Sequence, residues 1–305
     1  MPATPECVEP QSAPVQHPAR SESNSVSPPT GVKTVFIVGP PRKGSGTTLL
    51  SYLLTGGEDA LSLSEPFLAH AIYPHWRLRW FFARVRKAAG LRRVPVPKDS
   101  DHDRFLEFLN ELAEANGLSY LIIKETYRLG REWANTELMD RITSGPYATV
   151  PITRHPYDAA VSTLRFCRWW RGIPGRLIRC WVHGLPLFTD DTDLMQYFAE
   201  NWTAFVDWAQ RSRLNIVRYE DLVSKPRESL PGLCHSCGLP YQEQMLDHSH
   251  RRTAFGGLGA PEVMNRPPKL VNTRSVGRAK QLPAQHRDLI KAVCGEAAAA
   301  LSYPL

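Results

Sequence analysis

The sequence predicts an α/β fold with a central parallel sheet flanked by helices, and two observations predict it. From Val35 to about Tyr241, short apolar runs alternate with amphipathic stretches of helical periodicity. The first apolar run also passes through a loop of small and basic residues straight into a leucine-rich helix, in the stretch VFIVGPPRKGSGTTLLSYLL. Strands that alternate with helices along a chain usually pair in parallel, because each helix returns the chain to the same edge of the sheet.

Local patterns place the individual elements in order along the chain. The strand candidates are TVFIVG, LSYLIIKE, YATVPITR and LNIVRYEDL, and a further strand is expected to end within SLSEPFLAHAIYPHW. The helix candidates are DRFLEFLNELAEAN and FAENWTAFVDWAQRS. The basic and aromatic segment 75–97 is expected to form a helical wall or lid. A Gly- and Pro-rich stretch from Phe255 to Leu270 leads to a last helix.

Composition divides the chain into a tail and one domain. Residues 1–32 are rich in Pro, Ser and Glu with few large apolar side chains, so we expect them to be disordered. Residues 33–305 are predicted to form a single domain, because a chain of 305 residues that is 42% hydrophobic can bury one sizeable core. The formal charge of +7 favours acidic partners. The sequence has no run apolar enough for a membrane span or a signal peptide, which predicts a cytoplasmic protein.

The cysteines have two interpretations. The spacing of the six cysteines indicates no disulfide framework, as expected in a reducing compartment. Cys234 and Cys237 have the spacing of metal ligands, and His248 with His250 would complete a zinc site. The same stretch also fits a helix that ends at Gly238 with both cysteines on its buried side. Because a single CxxC is a weak signal, we favour the buried helix and predict no metal.

The loop after the first strand has the composition of a phosphate cradle. A turn from strand to helix presents unpaired backbone N–H groups, backed by the positive end of the helix dipole. Glycines let the backbone approach an anion, and hydroxyl and basic side chains add donors and charge. The residues with these properties are Gly44 and Gly46, Ser45, Thr47 and Thr48, and Arg42 and Lys43. The domain is therefore predicted to be P-loop-like, and an ordinary capped helix is the plainer alternative.

This loop departs from those of nucleotide hydrolases and kinases. Walker loops place Lys directly after the last glycine, where it reaches the β and γ phosphates. Thr47 has that position here. In such enzymes a later strand ends in the aspartate that holds Mg²⁺, whereas YATVPITR ends in Arg154. The sequence thus predicts an anion site with no obligatory metal, and a small-molecule kinase that uses ATP and Mg²⁺ becomes the alternative.

Two motifs together resemble the sulfotransferases that use 3′-phosphoadenosine 5′-phosphosulfate (PAPS). Their 5′-phosphosulfate loop is a basic residue followed by SGTT, and this chain has PRKGSGTTLL. Their 3′-phosphate motif has Arg at a strand end and Ser eight positions later, and ITRHPYDAAVSTLRF supplies Arg154 and Ser162. The resemblance covers Val35 to about Leu289. It implies PAPS as co-substrate, with its 5′-phosphosulfate on residues 42–48 and its 3′-phosphate on Arg154 and Ser162.

Two downstream stretches extend the resemblance. NWTAFVDWAQRSRLNIVRYEDLVSKP is similar to the family's Trp-bearing helix and the strand ending in YEDL, which implies that Tyr219 lines the adenine pocket. Alternatively, Tyr219 is a core aromatic, and the two acidic residues after it cap a helix. NTRSVGRAKQLP resembles the late basic segment that folds over the 3′-phosphate, which implicates Arg274, Gly277 and Arg278. A solvated basic loop is the alternative for these residues.

The phosphosulfate loop is longer than the family's pattern. Lys43 and Gly44 lie between Arg42 and the SGTT run, where the usual loop has no room for them. Either Arg42 or Lys43 is therefore expected to face the bridging oxygen of the phosphosulfate, and the sequence leaves both open. Positive charge at that position stabilises the leaving phosphate during transfer.

A general base must take the proton of the attacking hydroxyl. Many members of the family carry a catalytic His shortly after a strand Lys, but here Glu125 follows Lys124. SLSEPFLAHAIYPHW resembles the Glu-Pro and downstream His stretch of carbohydrate sulfotransferases, which makes Glu65 the first choice as base, with Glu125 and His70 as alternates. Glu65 can instead be only a cap for the helix that begins at Pro66. Lys124 is expected to steady the sulfuryl oxygens or to form a structural ion pair.

These motifs predict a PAPS-dependent sulfotransferase that acts on a hydroxyl of a small-molecule or carbohydrate acceptor. The Trp and Phe residues of 76–82 and 166–170 would equally frame a lipidic or aromatic acceptor. A rival of a different class is a basic nucleic-acid-binding protein built on segment 75–97. We predict no nucleic-acid partner, because that segment better fits a wall over the acceptor.

Overall fold

The described part of the chain is built on a sheet of six parallel strands. In this computed structural model the residues described are 31–40, 44–56, 59–72, 74–98, 100–126, 132–171, 190–247, 253–255 and 271–305. The strands are β1 (Lys33–Gly39), β2 (Ala60–Ser64), β3 (Tyr120–Thr126), β4 (Ala148–Thr153), β5 (Val217–Arg218) and β6 (Thr253–Phe255). Their order is β5-β4-β1-β3-β2-β6, and every neighbouring pair is parallel. The predicted α/β class and parallel sheet are confirmed.

Helices connect the strands and cover both faces of the sheet. They are α1 (Thr47–Leu54), α2 (Pro66–Ile72), α3 (His75–Ala89), α4 (His102–Glu114), α5 (Glu132–Ser144), α6 (Pro156–Arg171), α7 (Asp191–Arg211), α8 (Tyr219–Ser224), α9 (Pro226–Cys237) and α10 (Ala284–Ala300). Acidic side chains start two of the long ones. The carboxylate of Asp101 accepts the amide N–H of Arg104 at 2.8 Å, and that of Asp190 accepts two amides at the start of α7.

The sheet separates two apolar layers. Side chains alternate between the faces of a strand, so Val35 and Ile37 of β1 pack with α1, α8 and α9. Phe36 and Val38 face the larger layer formed by α2 to α7 and α10. A strand that is apolar on both faces can only lie inside such a sandwich, which explains the continuous apolar run of β1. The carboxyl ends of the strands consequently share one edge.

The strand predictions hold except at β5. LNIVRYEDL was expected to be a strand as a whole, but only Val217 and Arg218 are extended, and α8 begins at Tyr219. The reason lies in Glu220 and Asp221, which occupy the first turn of α8, where negative charge stabilises the helix dipole. The three-residue strand β6 is too short to give a sequence signal. Its partner is β2, at the edge of the sheet.

The helix interpretation of the CxxC stretch is confirmed. Cys234 and Cys237 are 0% and 2% exposed on α9, which ends at Gly238 with a φ of 59°. Burial raises the pKa of the Cys234 thiol to about 11, so it stays protonated at neutral pH. Its sulfur lies 3.6 Å from the sulfur of Met245 in the apolar layer. His248 and His250 lie outside the described residues.

The remaining predictions about the chain concern its N-terminal tail, its single domain and the lack of a membrane span. Of the predicted tail 1–32, residues 1–30 lie outside the described residues, so its disorder stays a prediction. Residues 31–305 are grouped as one structural unit. Among the described helices, none has both the length and the apolarity needed to cross a bilayer.

Candidate functional site

The carboxyl edge of the sheet gathers side chains that are far apart in the sequence. The loop Gly44–Thr48 follows β1, and Glu65 follows β2. Lys124 lies near the end of β3, Arg154 follows β4, and Tyr219 follows β5. In open parallel sheets, ligands bind outside the carboxyl ends of the strands, at the position where the strand order reverses. Here β1 lies between β3 and β4, so this edge is the candidate site.

The loop after β1 is enclosed by the residues that follow β4 and β5. Gly44 and Gly46 have positive φ angles of 120° and 94°, a region that favours glycine. A Cβ added to Gly44 would lie 2.8 Å from the Cβ of Ser162, and one added to Gly46 would lie 2.5 Å from the ring of Tyr219. Both glycines are therefore required by a close approach of two walls. An anion in the loop would be held between those walls.

Helix α1 begins inside this loop. Gly46 is at its N-cap position and carries no capping side chain, so the first-turn amides are directed toward the loop. Ser45 and Thr47 are buried, and their hydroxyl oxygens lie 3.4 Å apart. Thr48, in the first turn, is half-buried. Arg42 and Lys43 lie outside the described residues, so the choice between them stays open.

Arg154 is a buried cation whose hydrogen-bonding capacity is partly unused. Its side chain is 4% exposed. Nη1 donates to the hydroxyl of Ser162 at 3.4 Å, so the two residues of the predicted 3′-phosphate motif lie side by side. Nε and Nη2 are buried with no hydrogen-bond partner among the described residues. The nearest carboxylates, of Asp158 and Glu220, lie at 3.6 Å and 4.0 Å, outside hydrogen-bonding distance.

Acidic and aromatic side chains surround the guanidinium of Arg154. Burial lowers its pKa, and the carboxylates of Asp158 and Glu220 partly offset that effect. The guanidinium also lies 4.8 Å from the centre of the Tyr219 ring. Trp202, fully buried on α7, donates its indole N–H to the carbonyl of Arg154 at 3.1 Å. An arginine this buried stays charged, and a bound anion would supply the acceptors that its Nε and Nη2 lack.

Asp158 connects Arg154 to the late basic segment. Its carboxylate accepts the amide N–H of Gly277 at 2.8 Å and also that of Arg278. The side chain of Arg278 in turn donates to the carbonyl of Arg274 at 3.0 Å. The segment predicted from NTRSVGRAKQLP is therefore brought to the same corner as Arg154. Arg274 itself is exposed. Its amide N–H donates to the side chain of Asn272, and its guanidinium makes no hydrogen bond to the described residues of the phosphate loop.

Tyr219 forms part of this corner as well. Its ring packs against Gly46, and its hydroxyl is 2.7 Å from the hydroxyl of Ser275. It is half-buried rather than a full core residue, so a ring edge is left for a ligand. The acidic residue after it, Glu220, accepts the amide N–H of His155 at 3.0 Å and the hydroxyl of Tyr303 at 2.9 Å. Glu220 thus joins the turns after β4 and β5.

Glu65 has the most unusual backbone of the site. Its φ of 57° is left-handed, which for a residue with a side chain costs about 1–3 kcal/mol. Its amide donates to the carbonyl of Lys124 at 2.6 Å, which fixes this turn on β3. The ammonium of Lys124 lies 3.7 Å from the Glu65 carboxylate and donates to Ser64 at 3.2 Å. The fold therefore places Glu65, the predicted base, next to Lys124, the predicted contact to the sulfuryl oxygens.

Glu125, and not Glu65, is the carboxylate that contacts the start of α2. The amide of Phe67, at the start of α2, donates to the carboxylate of Glu125 at 2.8 Å. Glu125 is therefore the residue that satisfies the N-terminus of α2, a role that the sequence had offered to Glu65. Glu125 is also only 3% exposed and faces the larger apolar layer beside Ile123. These contacts favour Glu65 over Glu125 as the residue that meets a substrate.

His70 is directed toward α4. Its ring stacks on Phe105 with centroids 4.2 Å apart, and its Nε2 lies 2.6 Å from the hydroxyl of Ser100. Burial, together with the nearby His102, lowers the pKa of His70 to about 4. The ring is therefore neutral at neutral pH. Its described contacts are structural, and none of them joins it to Glu65 or Lys124.

Three residues of the site had not been singled out as functional by the sequence. Asp158 and Tyr303 were not identified, and Glu220 was considered only as a helix cap. A signal existed for Asp158, because it lies four positions after Arg154 and opens α6, where a carboxylate meets both the arginine and the helix dipole. Tyr303 had no local signal. Among the described residues, no group of three or more His, Cys, Asp or Glu side chains is arranged to hold a metal ion.

Comparison with known proteins places the fold. No family model matches the chain, and no curated protein sequence matches it. The sulfotransferase domain from the curacin biosynthetic pathway has a TM-score of 0.59 over 90% of this chain and 99% of that domain, at 19% identity. The sulfotransferase domain from the Synechococcus PCC 7002 olefin synthase has a TM-score of 0.54 over 90% and 96%, at 18% identity. The chain therefore shares the fold of sulfotransferase domains.

Proposed function

We propose that this chain, which has the fold of sulfotransferase domains, transfers a sulfuryl group from PAPS to the hydroxyl of a small-molecule or carbohydrate acceptor. The observation that carries the proposal is the buried Arg154, whose Nε and Nη2 have no hydrogen-bond partner among the described residues. A phosphate supplies both the charge and the paired acceptors that a guanidinium fork requires. Ser162, 3.4 Å from Nη1, adds a hydroxyl to the same phosphate.

The donor would occupy both walls of the carboxyl edge. Its 5′-phosphosulfate would bind the amides and hydroxyls of Gly44–Thr48, together with Arg42 or Lys43. Its 3′-phosphate would bind Arg154 and Ser162, with the amide-anchored segment 274–278 closing over it. Tyr219 would lie beside the adenine. This arrangement is supported by the contacts of Gly44 with Ser162 and of Gly46 with Tyr219, which bring the two phosphate sites next to each other.

Sulfuryl transfer then requires a base and a cation on the acceptor side. The acceptor oxygen attacks sulfur, the bond from sulfur to the phosphate oxygen breaks, and the hydroxyl proton passes to the Glu65 carboxylate. Lys124, 3.7 Å from that carboxylate, would donate to a sulfuryl oxygen. Negative charge leaves on the 5′-phosphate, where the loop amides stabilise it. Positive charge at the leaving phosphate would come from the loop amides, from the N-terminus of α1 and from Arg42 or Lys43.

Two measurements on the full chain test the proposal. Calorimetry should detect binding of 3′-phosphoadenosine 5′-phosphate in the presence of a metal chelator, and incubation with labelled PAPS and a panel of hydroxylated acceptors should label at least one acceptor. A panel that contains sugars, phenols and lipid-like alcohols also identifies the acceptor class. If ATP with Mg²⁺ binds more tightly than the bisphosphate nucleotide and is hydrolysed or transferred, the chain is a kinase and the proposal is wrong.

A further inference from the structure

The positive charge of the chain is concentrated in one segment. Residues 75–98 carry eight Lys and Arg and no acidic residue, whereas the other 281 residues carry 29 basic and 30 acidic residues. The excess charge of the whole chain therefore comes from this segment, which consists of α3 and the residues directly after it. We call the outward side of α3, together with residues 91–98, the basic face.

The basic face also exposes large aromatic side chains. Leu78, Phe82 and Val85 turn inward and are at most 6% exposed. Trp76 and Trp80 lie one helical turn apart on the other side, and they are 65% and 61% exposed. Among the described residues whose side chains are placed, the one other large apolar side chain that is exposed is Val276, at 37%, and it lies elsewhere in the chain. Paired exposed tryptophans on one helix are typical of an interaction surface.

A groove of about 520 Å³ runs along this face, between α3 and the extended residues after it. Its floor is apolar and is formed by side chains of three segments, namely Phe82, Val94, Val96, Phe108 and Leu112. Its rim is basic and consists of Arg79, Arg86, Arg92, Arg93 and Lys98. No acidic side chain is among the described residues that line it. An occupant that fits such a groove has an apolar body and an anionic end.

The exposed tryptophans decide between two classes of anionic partner. Arg77 lies 5.0 Å from the centre of the Trp76 ring, and Arg84 lies 4.8 Å from that of Trp80. Each indole therefore already has a guanidinium on one side, which removes one of the two faces that a nucleic-acid base would stack on. The same pairs suit a bilayer surface, where indoles lie at the level of the headgroups and guanidinium groups contact lipid phosphates. The apolar floor of the groove favours lipid further.

We propose that the basic face docks this protein on a bilayer that contains anionic lipids. Trp76 and Trp80 would insert among the headgroups, and Arg79 and Arg86 would bind lipid phosphates and carboxylates at the rim of the groove. The docking is peripheral and reversible, because it depends on one amphipathic helix and on charge attraction. It does not depend on sulfuryl transfer or on the nature of the donor.

The test is sedimentation of the full chain with sucrose-loaded vesicles, made either of phosphatidylcholine alone or with a third of phosphatidylserine. We expect binding to the anionic vesicles that weakens with added salt, and little binding to the neutral ones. Arg79→Gln with Arg86→Gln should lower the vesicle affinity about 25-fold, at about fivefold for each basic side chain removed. Trp76→Ala with Trp80→Ala should lower it at least about tenfold, through lost apolar burial.

A matched double variant is the control. Arg211→Gln with Lys291→Gln removes two exposed charges from other helices, and it should keep vesicle binding within about twofold of wild type, because those charges lie outside the basic face. Equal binding by all three double variants would overturn the proposal. Retained vesicle binding by the tryptophan variant, combined with loss of single-stranded DNA binding, would also overturn it and identify a nucleic-acid surface. Circular dichroism and a melting curve, measured in parallel, show whether each variant is folded, independently of any nucleotide binding.

Discussion

Arg154 and Glu65 each follow a strand at the same edge of the sheet, yet their surroundings differ. Arg154 is 4% exposed and is enclosed by a serine, a tyrosine ring, two carboxylates and a buried tryptophan. Glu65 is 14% exposed, and Lys124 is the one ion-pair partner of its carboxylate among the described residues. We refer to these regions as the arginine corner and the glutamate corner.

The difference corresponds to two kinds of chemical task. A group that binds a phosphate works best when its position is fixed before the ligand arrives, because no energy is then spent on ordering it. A group that takes a proton must reach a substrate oxygen, so it needs an open side and few competing donors. The arginine corner has the first set of properties and the glutamate corner has the second. Substitutions in the two corners should therefore affect different measurements.

The largest effect is expected in the glutamate corner. Glu65→Gln keeps the size of the side chain but removes its capacity to take a proton, so turnover should fall by about 10²- to 10⁴-fold. Affinity for the bisphosphate nucleotide, measured by calorimetry, should hardly change. The loss should shrink for an acidic acceptor such as a nitrophenol, whose proton leaves readily. If Glu65→Gln keeps full turnover while Glu125→Gln or His70→Ala loses it, then Glu65 is not the base and has only a structural role in the turn before α2.

The second prediction concerns the arginine corner. Arg154→Ala would remove the proposed charge-assisted contacts to the 3′-phosphate, which should weaken bisphosphate binding about 10- to 150-fold. Arg154→Lys keeps the charge without the fork, so its loss should be smaller. Arg168→Ala serves as the control, because Arg168 lies on the same helix, α6, is exposed and pairs with Asp191 rather than with the late basic segment. Unchanged affinity in Arg154→Ala, with an intact melting curve, would show that the guanidinium meets no phosphate.

A third substitution tests the close approach of the Tyr219 ring to Gly46 in the loop after β1. Gly46→Ala places a Cβ about 2.5 Å from the Tyr219 ring, so the loop or the ring must shift and bisphosphate affinity should fall about tenfold or more. Gly117→Ala is the matched control, because Gly117 also has a positive φ, of 64°, but a Cβ there meets nothing within 4 Å. Gly117→Ala should lose about 1 kcal/mol of unfolding free energy from backbone strain, and Gly46→Ala should lose more, because its Cβ also displaces the ring or the loop. Equal donor affinity in the two would show that the close approach is unimportant for binding.

The smallest effect is a gain in stability. Glu65→Gly relieves the left-handed backbone, and we expect the unfolding free energy to rise by about 1 kcal/mol at most, since the ion pair to Lys124 is lost at the same time. Turnover should fall by a similar factor to that expected for Glu65→Gln. Arg213→Gly is the comparison for stability, because Arg213 has a φ of 54° and lies outside both corners. A clear loss of stability in Glu65→Gly, measured by chemical denaturation, would assign the glutamate to a structural role.

The sequence predicted those parts of the fold and site that depend on local patterns. The apolar run of β1 and the Gly-rich loop after it predicted a buried strand that turns directly into a helix, because both properties lie in neighbouring residues. The interval between Arg154 and Ser162 predicted that the two side chains would lie close together, and they do, since two helical turns join them. Contacts between distant elements could not be predicted in this way. Glu125 satisfies the α2 amide of Phe67 across 58 positions, and no local pattern indicates that pairing.

The close contacts of the two loop glycines also determine how much of the chain must be synthesised before the site can form. Ser162 and Tyr219, which enclose Gly44 and Gly46, are encoded 118 and 173 positions later than those glycines. A ribosome that adds about 5–20 residues per second therefore exposes the loop on the order of ten seconds before its second wall. The apolar strand β1 must likewise wait for β3 and β4, its neighbours on either side. A donor nucleotide bound as proposed would consequently stabilise only a chain that already contains both walls, so its cellular level should influence the lifetime of finished protein and leave the early nascent chain unprotected.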